Sequence, residues 1–174
     1  PPNRAYLKLW EAFTRLQKWP RPGQHCLELG ASPGGWTYVL AGLGAKVTAV
    51  DRSPLDPAVA AMPQVSFVAG DAFSFGPECL GKSLEGAKID WLFSDVICYP
   101  DKLYDFVQTW LASGLCDNVV VTVKFQGADH YSWIPRFQQI AGGRLVHLFH
   151  NKHELTFARL SAPVGDDRRW FGYT

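Results

Sequence analysis

Long apolar runs are missing from this sequence. None approaches the roughly 20 residues that cross a bilayer, so no membrane span is expected. Cysteine is sparse. Cys26, Cys79, Cys98 and Cys116 lie far apart and form no C-x-x-C pair. They read as small hydrophobes of a reduced, cytosolic protein, not as a disulfide framework. A secretory leader is also lacking, because Pro1-Pro2-Asn3-Arg4 leads into an amphipathic segment instead of an apolar core. The chain opens on Pro1 and not on Met, and the expectation is one domain of a longer protein. Charge of one sign is scarce: 17 Lys+Arg face 16 Asp+Glu, a net +1. That excludes a strongly basic nucleic-acid tail and an acidic solvating segment. Repeats, low-complexity segments and linkers are absent, and 174 residues suit one domain. With 47% hydrophobic and 19% charged residues, the chain has the composition of a globular fold and not of disorder.

The charge that is present is unevenly spread. Residues 1–24 hold Arg4, Lys8, Arg15, Lys18 and Arg21 against Glu11 alone, net +4. The other 150 residues hold 12 basic and 15 acidic groups, net −3. A basic arm beside a mildly acidic body hints at a polyanionic partner. A solvated helix face gives the same pattern.

Periodicity predicts an alternation of helix and strand. Asn3 can cap a helix running to Lys18, with Tyr6, Leu9, Trp10, Phe13 and Leu16 on one stripe. Strands are expected at 25–29, 45–50, 65–69, 89–94 and 118–123, then an antiparallel pair at 144–150 and 155–160 joined by a tight turn. Helices are expected at 36–43, 58–62, 102–112 and 130–140, and the stretch 75–88 reads as loop. The first, fourth and fifth strands are continuous apolar runs, as in a sheet covered on both faces. The expected fold is therefore α/β: a Rossmann-like, seven-stranded, mostly parallel sheet with an antiparallel last strand.

In such sheets ligands bind beyond the carboxyl ends of the strands. Those ends carry the turn Gly30-Ala31-Ser32-Pro33-Gly34-Gly35, then Asp51, Asp71, Asp95 and Lys124. If the last strand is antiparallel, its first residue, Glu154 or a neighbour, joins the same rim. The turn reads G-x-x-x-G-G and not G-x-G-x-x-G, so it fails the dinucleotide fingerprint. Asp51, some 20 residues on, can accept hydrogen bonds from both hydroxyls of a ribose. Adenosine without a pyrophosphate fits better than NAD. Gly76 to Ser83 matches the G-x-x-x-x-G-K-S/T phosphate loop but follows no strand directly, and no helix is expected after it. His147, His150 and His153 form H-x-x-H-x-x-H, but on a strand the first two point to opposite faces, so no metal is expected.

Cys26-Leu27-Glu28-Leu29-Gly30-Ala31-Ser32-Pro33-Gly34-Gly35-Trp36-Thr37 closely resembles the cofactor-binding turn of the FtsJ/RrmJ-like ribose 2′-O-methyltransferases. Within that family the sequence is most similar to the type acting on a cytidine of large-subunit ribosomal RNA (the RlmM type). The family carries a Lys-Asp-Lys-Glu tetrad whose first Lys lies in Ser-Arg-x-x-x-Lys-Leu. Asn3-Arg4-Ala5-Tyr6-Leu7-Lys8-Leu9 matches with Asn for Ser. Asp95, Lys124 and Glu154 match the other three in order and at strand ends. The resemblance covers residues 3–160 and implies S-adenosyl-L-methionine (SAM) as cofactor. It implies SAM held by Gly34 and Trp36 within the turn Ser32-Pro33-Gly34-Gly35-Trp36, by Asp51 at the ribose, Asp71 at the adenine and Asp95 near the methionine amine. Two departures stand out. Val96-Ile97-Cys98-Tyr99-Pro100 replaces the family's Met-Ala-Pro after the tetrad Asp, in a loop that borders the substrate. The N-terminal RNA-binding domain of the RlmM type has no counterpart in residues 1–174.

The resemblance implies an RNA substrate, ribosomal RNA above all, with Lys8, Asp95, Lys124 and Glu154 catalytic. Lys124 is then either a neutral base or a charged group that steers the hydroxyl. Arg4, Arg15, Lys18 and Arg21 are candidate phosphate contacts; Tyr99, Tyr131, Trp133, Trp170, Phe171 and Tyr173 are candidate stacking partners. Residues 1–24 are expected to pack as a basic helix on a methyltransferase domain at 25–160, with 161–174 an exposed extension. A cytoplasmic monomer without metal is expected. Two rivals stay open: a methyltransferase for a small molecule or protein, and a non-catalytic SAM- or RNA-binding subunit.

Overall fold

The computed structural model of the chain describes residues 1–83 and 88–161. Strands β1 (His25–Leu29), β2 (Lys46–Asp51), β3 (Val65–Ala69), β4 (Ile89–Ser94), β5 (Cys116–Lys124), β6 (Gly143–Val146) and β7 (Glu154–Arg159) form one sheet in the order β3-β2-β1-β4-β5-β7-β6. Pairing is parallel from β3 through to β5, and β7 runs antiparallel to both neighbours. The order reverses at β1, so the carboxyl ends of β1 and β4 border a crevice.

Helices cover both faces. The face of α1 (Ala5–Leu16), α2 (Gly35–Gly42) and α3 (Pro57–Ala60) buries Leu9, Phe13, Trp36 and Val59 against Trp91 and Phe93. Trp91 stacks on Phe93 with ring centres 5.5 Å apart, and Phe13 meets the two edge-on at 6.2 and 6.0 Å. Each such pair adds about 1 kcal/mol beyond its burial. The other face carries α5 (Pro100–Ser113) and α6 (Ile134–Gln138), whose Leu103, Val107, Trp110 and Phe137 pack on Leu92, Val121 and Phe157. Here too is α4 (Pro77–Ser83), whose Leu80 is fully buried.

The structure corrects several expected elements. The stretch expected as loop at 75–88 contains α4, because Pro77 presets the first helical turn. The G-x-x-x-x-G-K-S/T match thus coincides with α4 instead of forming a loop between a strand and a helix, which is the context a phosphate loop needs. The helix expected at 130–140 is a 3₁₀ segment, Ala128–Trp133, followed by α6. Pro135 lacks an N–H and so sits in the first turn of α6. Helix α5 starts earlier than expected, with Pro100 in its first turn. Strand β6 ends at Val146, and the tight turn expected after it is a loop over 147–153. His147 and His150 therefore do not alternate along a strand. Asn3 does act at the start of α1, its Oδ1 accepting the Ala5 N–H at 3.0 Å, although Arg4 holds the cap position. The extension expected at 161–174, with Trp170, Phe171 and Tyr173, lies outside the described residues save for Ser161.

Candidate active site

Four charged side chains from four elements meet at the rim. Lys8 comes from α1, Asp95 follows β4, Lys124 ends β5 and Glu154 opens β7. Lys8 Nζ lies 3.0 Å from Asp95 Oδ1 and 2.6 Å from Glu154 Oε1. Lys124 Nζ lies 2.8 Å from Asp95 Oδ1 and 3.3 Å from Glu154 Oε2. Each cation touches both carboxylates, giving a closed ring of alternating sign. The side chains are only 8–18% exposed. Removing four charges from water costs several kcal/mol apiece, and pairing at best offsets it. Such a cluster is poor value as a staple, which makes it the candidate site of this fold.

Local structure explains the meeting. Lys124 and Glu154 are register partners across the antiparallel β5–β7 pair, so both point to one face. Lys8 is one helical turn from Ala12 and Phe13, whose burial fixes α1 on the sheet. Asp95 is aimed by Ser94, which the sequence reading missed. The Ser94 hydroxyl donates to the Leu29 carbonyl at 2.8 Å and accepts the Val96 N–H, locking the end of β4 to β1. Burial pushes the Asp95 carboxyl up, but Lys124 and Lys8 outweigh it and hold it below the usual carboxylate range. Burial likewise lowers Lys124, and Asp95 with Glu154 outweigh it, so its ammonium is held above the ordinary lysine value.

Beside the ring lies a cleft of about 430 Å³, lined by Gly30, Asp51, Asp71, Phe73, the loop Val96–Tyr99, Lys102 and Gln126. Gly30 has φ +79°, and a Cβ there would come within 2.9 Å of Val96 Cβ. Only glycine lets the end of β1 pass so close to the loop after Asp95. Asp51 is braced by two N–H donors, Ser32 at 2.9 Å and Ser53 at 2.8 Å. Asp71 accepts the Phe73 N–H and pairs with Arg52; these two bonds, in that order, lower its pKa. Arg52, Phe73, Lys102 and Gln126 were not singled out from sequence. The available signal was a position just after a strand end for Arg52 and Gln126 and beside Asp71 for Phe73; Lys102, in the first turn of α5, carried none.

The turn itself stands apart from the cleft wall. Trp36 is buried, its ring edge-on to Phe93 and its Nε1 donating to the Ala5 carbonyl at 3.0 Å. Any contact it makes in the cleft falls to its main chain. The Ser32 hydroxyl donates to the Pro54 carbonyl, and the Pro33 carbonyl accepts the Asp56 N–H. A Cβ on Gly35 would fall 2.1 Å from Asn3 Oδ1, so glycine there admits the start of α1. Gly34 caps α2. Of the basic arm, Lys18 holds Ser161 through its carbonyl and hydroxyl, and Arg15 pairs with Glu11, while Arg4 and Arg21 are exposed. Of the candidate stacking residues, Tyr99 and Tyr131 are half exposed, and Trp133 packs against Tyr104. Among the described residues, no cluster of three or more His, Cys, Asp or Glu side chains could hold a metal, and no helix is long and apolar enough to cross a membrane.

A model of the FtsJ-like methyltransferase family matches residues 1–139. The ribosomal RNA large subunit methyltransferase M of Halorhodospira halophila is 42% identical over 170 residues, covering 92% of this chain and 48% of its own length. That of Azotobacter vinelandii is 31% identical over 182 residues, covering 94% of this chain and 49% of its own. The chain spans about half the length of these curated relatives. Among solved structures, a Plasmodium falciparum protein described as a ribosomal RNA methyltransferase superposes with a TM-score of 0.63 at 16% identity, over 92% of this chain and 98% of that one. At that identity the likeness shows the fold alone.

Proposed function

The chain belongs to the FtsJ-like methyltransferase family, and from that premise we propose that it transfers a methyl group from SAM to a ribose 2′-oxygen of ribosomal RNA. The observation that carries the reading is the closed ring Lys8–Asp95–Lys124–Glu154, flanked by Val96 and Gln126 of the cleft. The cleft suits the cofactor. Its volume fits a nucleoside-sized ligand, glycine at position 30 leaves the rim open, and braced carboxylates end β2 and follow β3. Asp51 would hold the ribose hydroxyls, Asp71 the adenine edge and Asp95 the amine, while the turn Ser32–Trp36, off the cleft wall, would reach the cofactor only through its main chain. When bound, SAM supplies a methyl group already activated on a sulfonium.

The protein's remaining work is alignment of the accepting oxygen, worth several kcal/mol. A 2′-hydroxyl entering beside the ring meets two ammonium donors whose positions the carboxylates fix. The ring's carboxylates hold the Lys124 ammonium above the ordinary lysine value, so of its two roles steering is favoured: it donates to the 2′-oxygen, whose own proton passes to solvent water as the carbon–oxygen bond forms and the methyl carbon–sulfur bond breaks. The exposed Arg4 and Arg21 would contact phosphates. In this reading residues 1–24 are a substrate-facing arm packed on the catalytic unit of 25–160, which acts as a monomer in the cytoplasm.

The test is methyl transfer to unmodified large-subunit ribosomal RNA. Lys124→Ala and Lys124→Arg should each abolish transfer and leave SAM affinity within a few fold. The Arg variant keeps the buried charge and so separates loss of chemistry from loss of fold. Near-normal turnover by Lys124→Ala would remove the ring from the mechanism. A steering Lys124 also gives a kcat flat from pH 7 to 9, whereas a base gives a rise of about tenfold per pH unit.

A further inference from the structure

Phe149 is the most exposed large apolar side chain among the described residues, at 83%. It is not on a loose loop. Leu148 on one side is fully buried and Asn151 on the other is 7% exposed. The Phe149 and His150 N–H groups both donate to the Glu11 carboxylate, at 2.8 and 3.1 Å. The Asn151 N–H closes the loop on the Leu148 carbonyl. Downstream, the His153 carbonyl accepts the Phe125 N–H, next to Lys124. The loop is thus pinned at several points while its aromatic ring is held in water.

Its position gives the ring a use. Glu11 follows Lys8 by three residues on α1, about one helical turn or roughly 5 Å along the axis. The carboxylate that grips the base of Phe149 therefore neighbours the ammonium that closes the charged ring. The same loop leads directly into Glu154. Lys152 and His153, also in the loop, are exposed and polar or basic. A rigid exposed ring with basic neighbours, held by a carboxylate one helical turn from Lys8, has the make-up of a stacking platform for a nucleic-acid base.

We infer that Phe149 is a substrate-positioning residue that stacks on an unpaired base of the RNA next to the methylated nucleotide, with Glu11 presenting it. The inference rests on the proposed RNA substrate. It excludes the SAM cleft, whose exposed apolar residues are Ile97 and Tyr99.

The experiment measures KM for unmodified large-subunit ribosomal RNA, kcat, and SAM affinity for the wild-type chain and Phe149→Ala, Phe149→Leu and Phe149→Trp. Stacking predicts a KM for RNA raised roughly 5- to 100-fold in Phe149→Ala, unchanged SAM affinity, restoration by Trp and none by Leu. A wild-type KM in Phe149→Ala overturns the proposal, as does full restoration by Leu, which would indicate an apolar contact without stacking. A fall in the chain's native mass on Phe149→Ala would place the ring between two copies and also overturn it. If the wild-type chain binds SAM but methylates no RNA, the substrate reading fails first and this inference falls with it.

Discussion

Glu28 sits in β1 two residues before Gly30 of the Gly-rich turn, 2% exposed, with its Oε2 accepting the Thr37 hydroxyl at 2.6 Å. Burial pushes its pKa up to about 8; the Thr37 bond works against this, and the nearby Asp95 and Asp51 reinforce it. An acid whose folded pKa lies above its unfolded value binds an extra proton in the native state. Stability is then full below the unfolded pKa near 4.5 and is lost as pH rises through about 8. Glu28→Gln keeps the partner of Thr37 and removes the proton. The Tm of this variant should exceed the wild-type value at pH 8.5 and approach it at pH 4.5. Parallel Tm curves across that range would show that Glu28 does not titrate there. Asp95 works the other way: its contribution is present above the unfolded pKa and is lost only as pH falls below it. At this scale strand-end placement picked out Asp95, Lys124 and Glu154, and the family resemblance added Lys8. Glu28, Ser94 and Glu11 escaped both, because their importance lies in what they touch across 9, 65 and 138 residues of chain.

Helix α1 is where the elements are coupled. Its apolar stripe, legible from spacing alone, fixes it on the sheet through Phe13, and this sets the reach of Lys8. Phe13→Ala should cost about 3–5 kcal/mol in urea unfolding. A loss under 1 kcal/mol would mean that α1 docks by other means. One turn on from Lys8, Glu11 holds the loop 147–153. Glu11→Ala should speed amide exchange of Phe149 and His150 by an order of magnitude or more and leave the β5 amides unchanged; equal protection in both proteins would show that the loop holds itself. The errors of the sequence reading also lie at this scale. Proline opened the unexpected α4 and moved the starts of α5 and α6, since a residue without N–H is tolerated in a first turn. The over-long β6 was an error of another kind: Val146 to His150 has strand composition, but Glu11 takes the N–H groups that a ladder would need.

Across the whole molecule, charge is partitioned and not accumulated. The net +1 joins a basic start to a mildly acidic body. Four of the charges cancel inside the ring, Lys18 is turned to Ser161 and Arg15 to Glu11. Three of the five cations of residues 1–24, Lys8, Arg15 and Lys18, are thus engaged within the chain. The salt dependence of RNA binding should therefore be shallow, a log–log slope of about −2 for some three phosphate contacts on single-stranded RNA. A slope near −6 or steeper would require a basic surface that these residues do not form.

The sequence by itself determined the fold class and the polar strand ends that share one rim, and its family resemblance pointed to the four ring residues. Hydrophobic periodicity and strand-end polarity are local properties, and the motif order is written along the chain. Tertiary structure alone decided how those residues work together. It closed the four charges into one ring, kept the Lys124 proton in place, gave Trp36 to the core and stood Phe149 in water. Each outcome depends on distances between segments remote in sequence and on the burial they share. Coulomb energy and desolvation are set by that geometry, and periodicity carries no information about it.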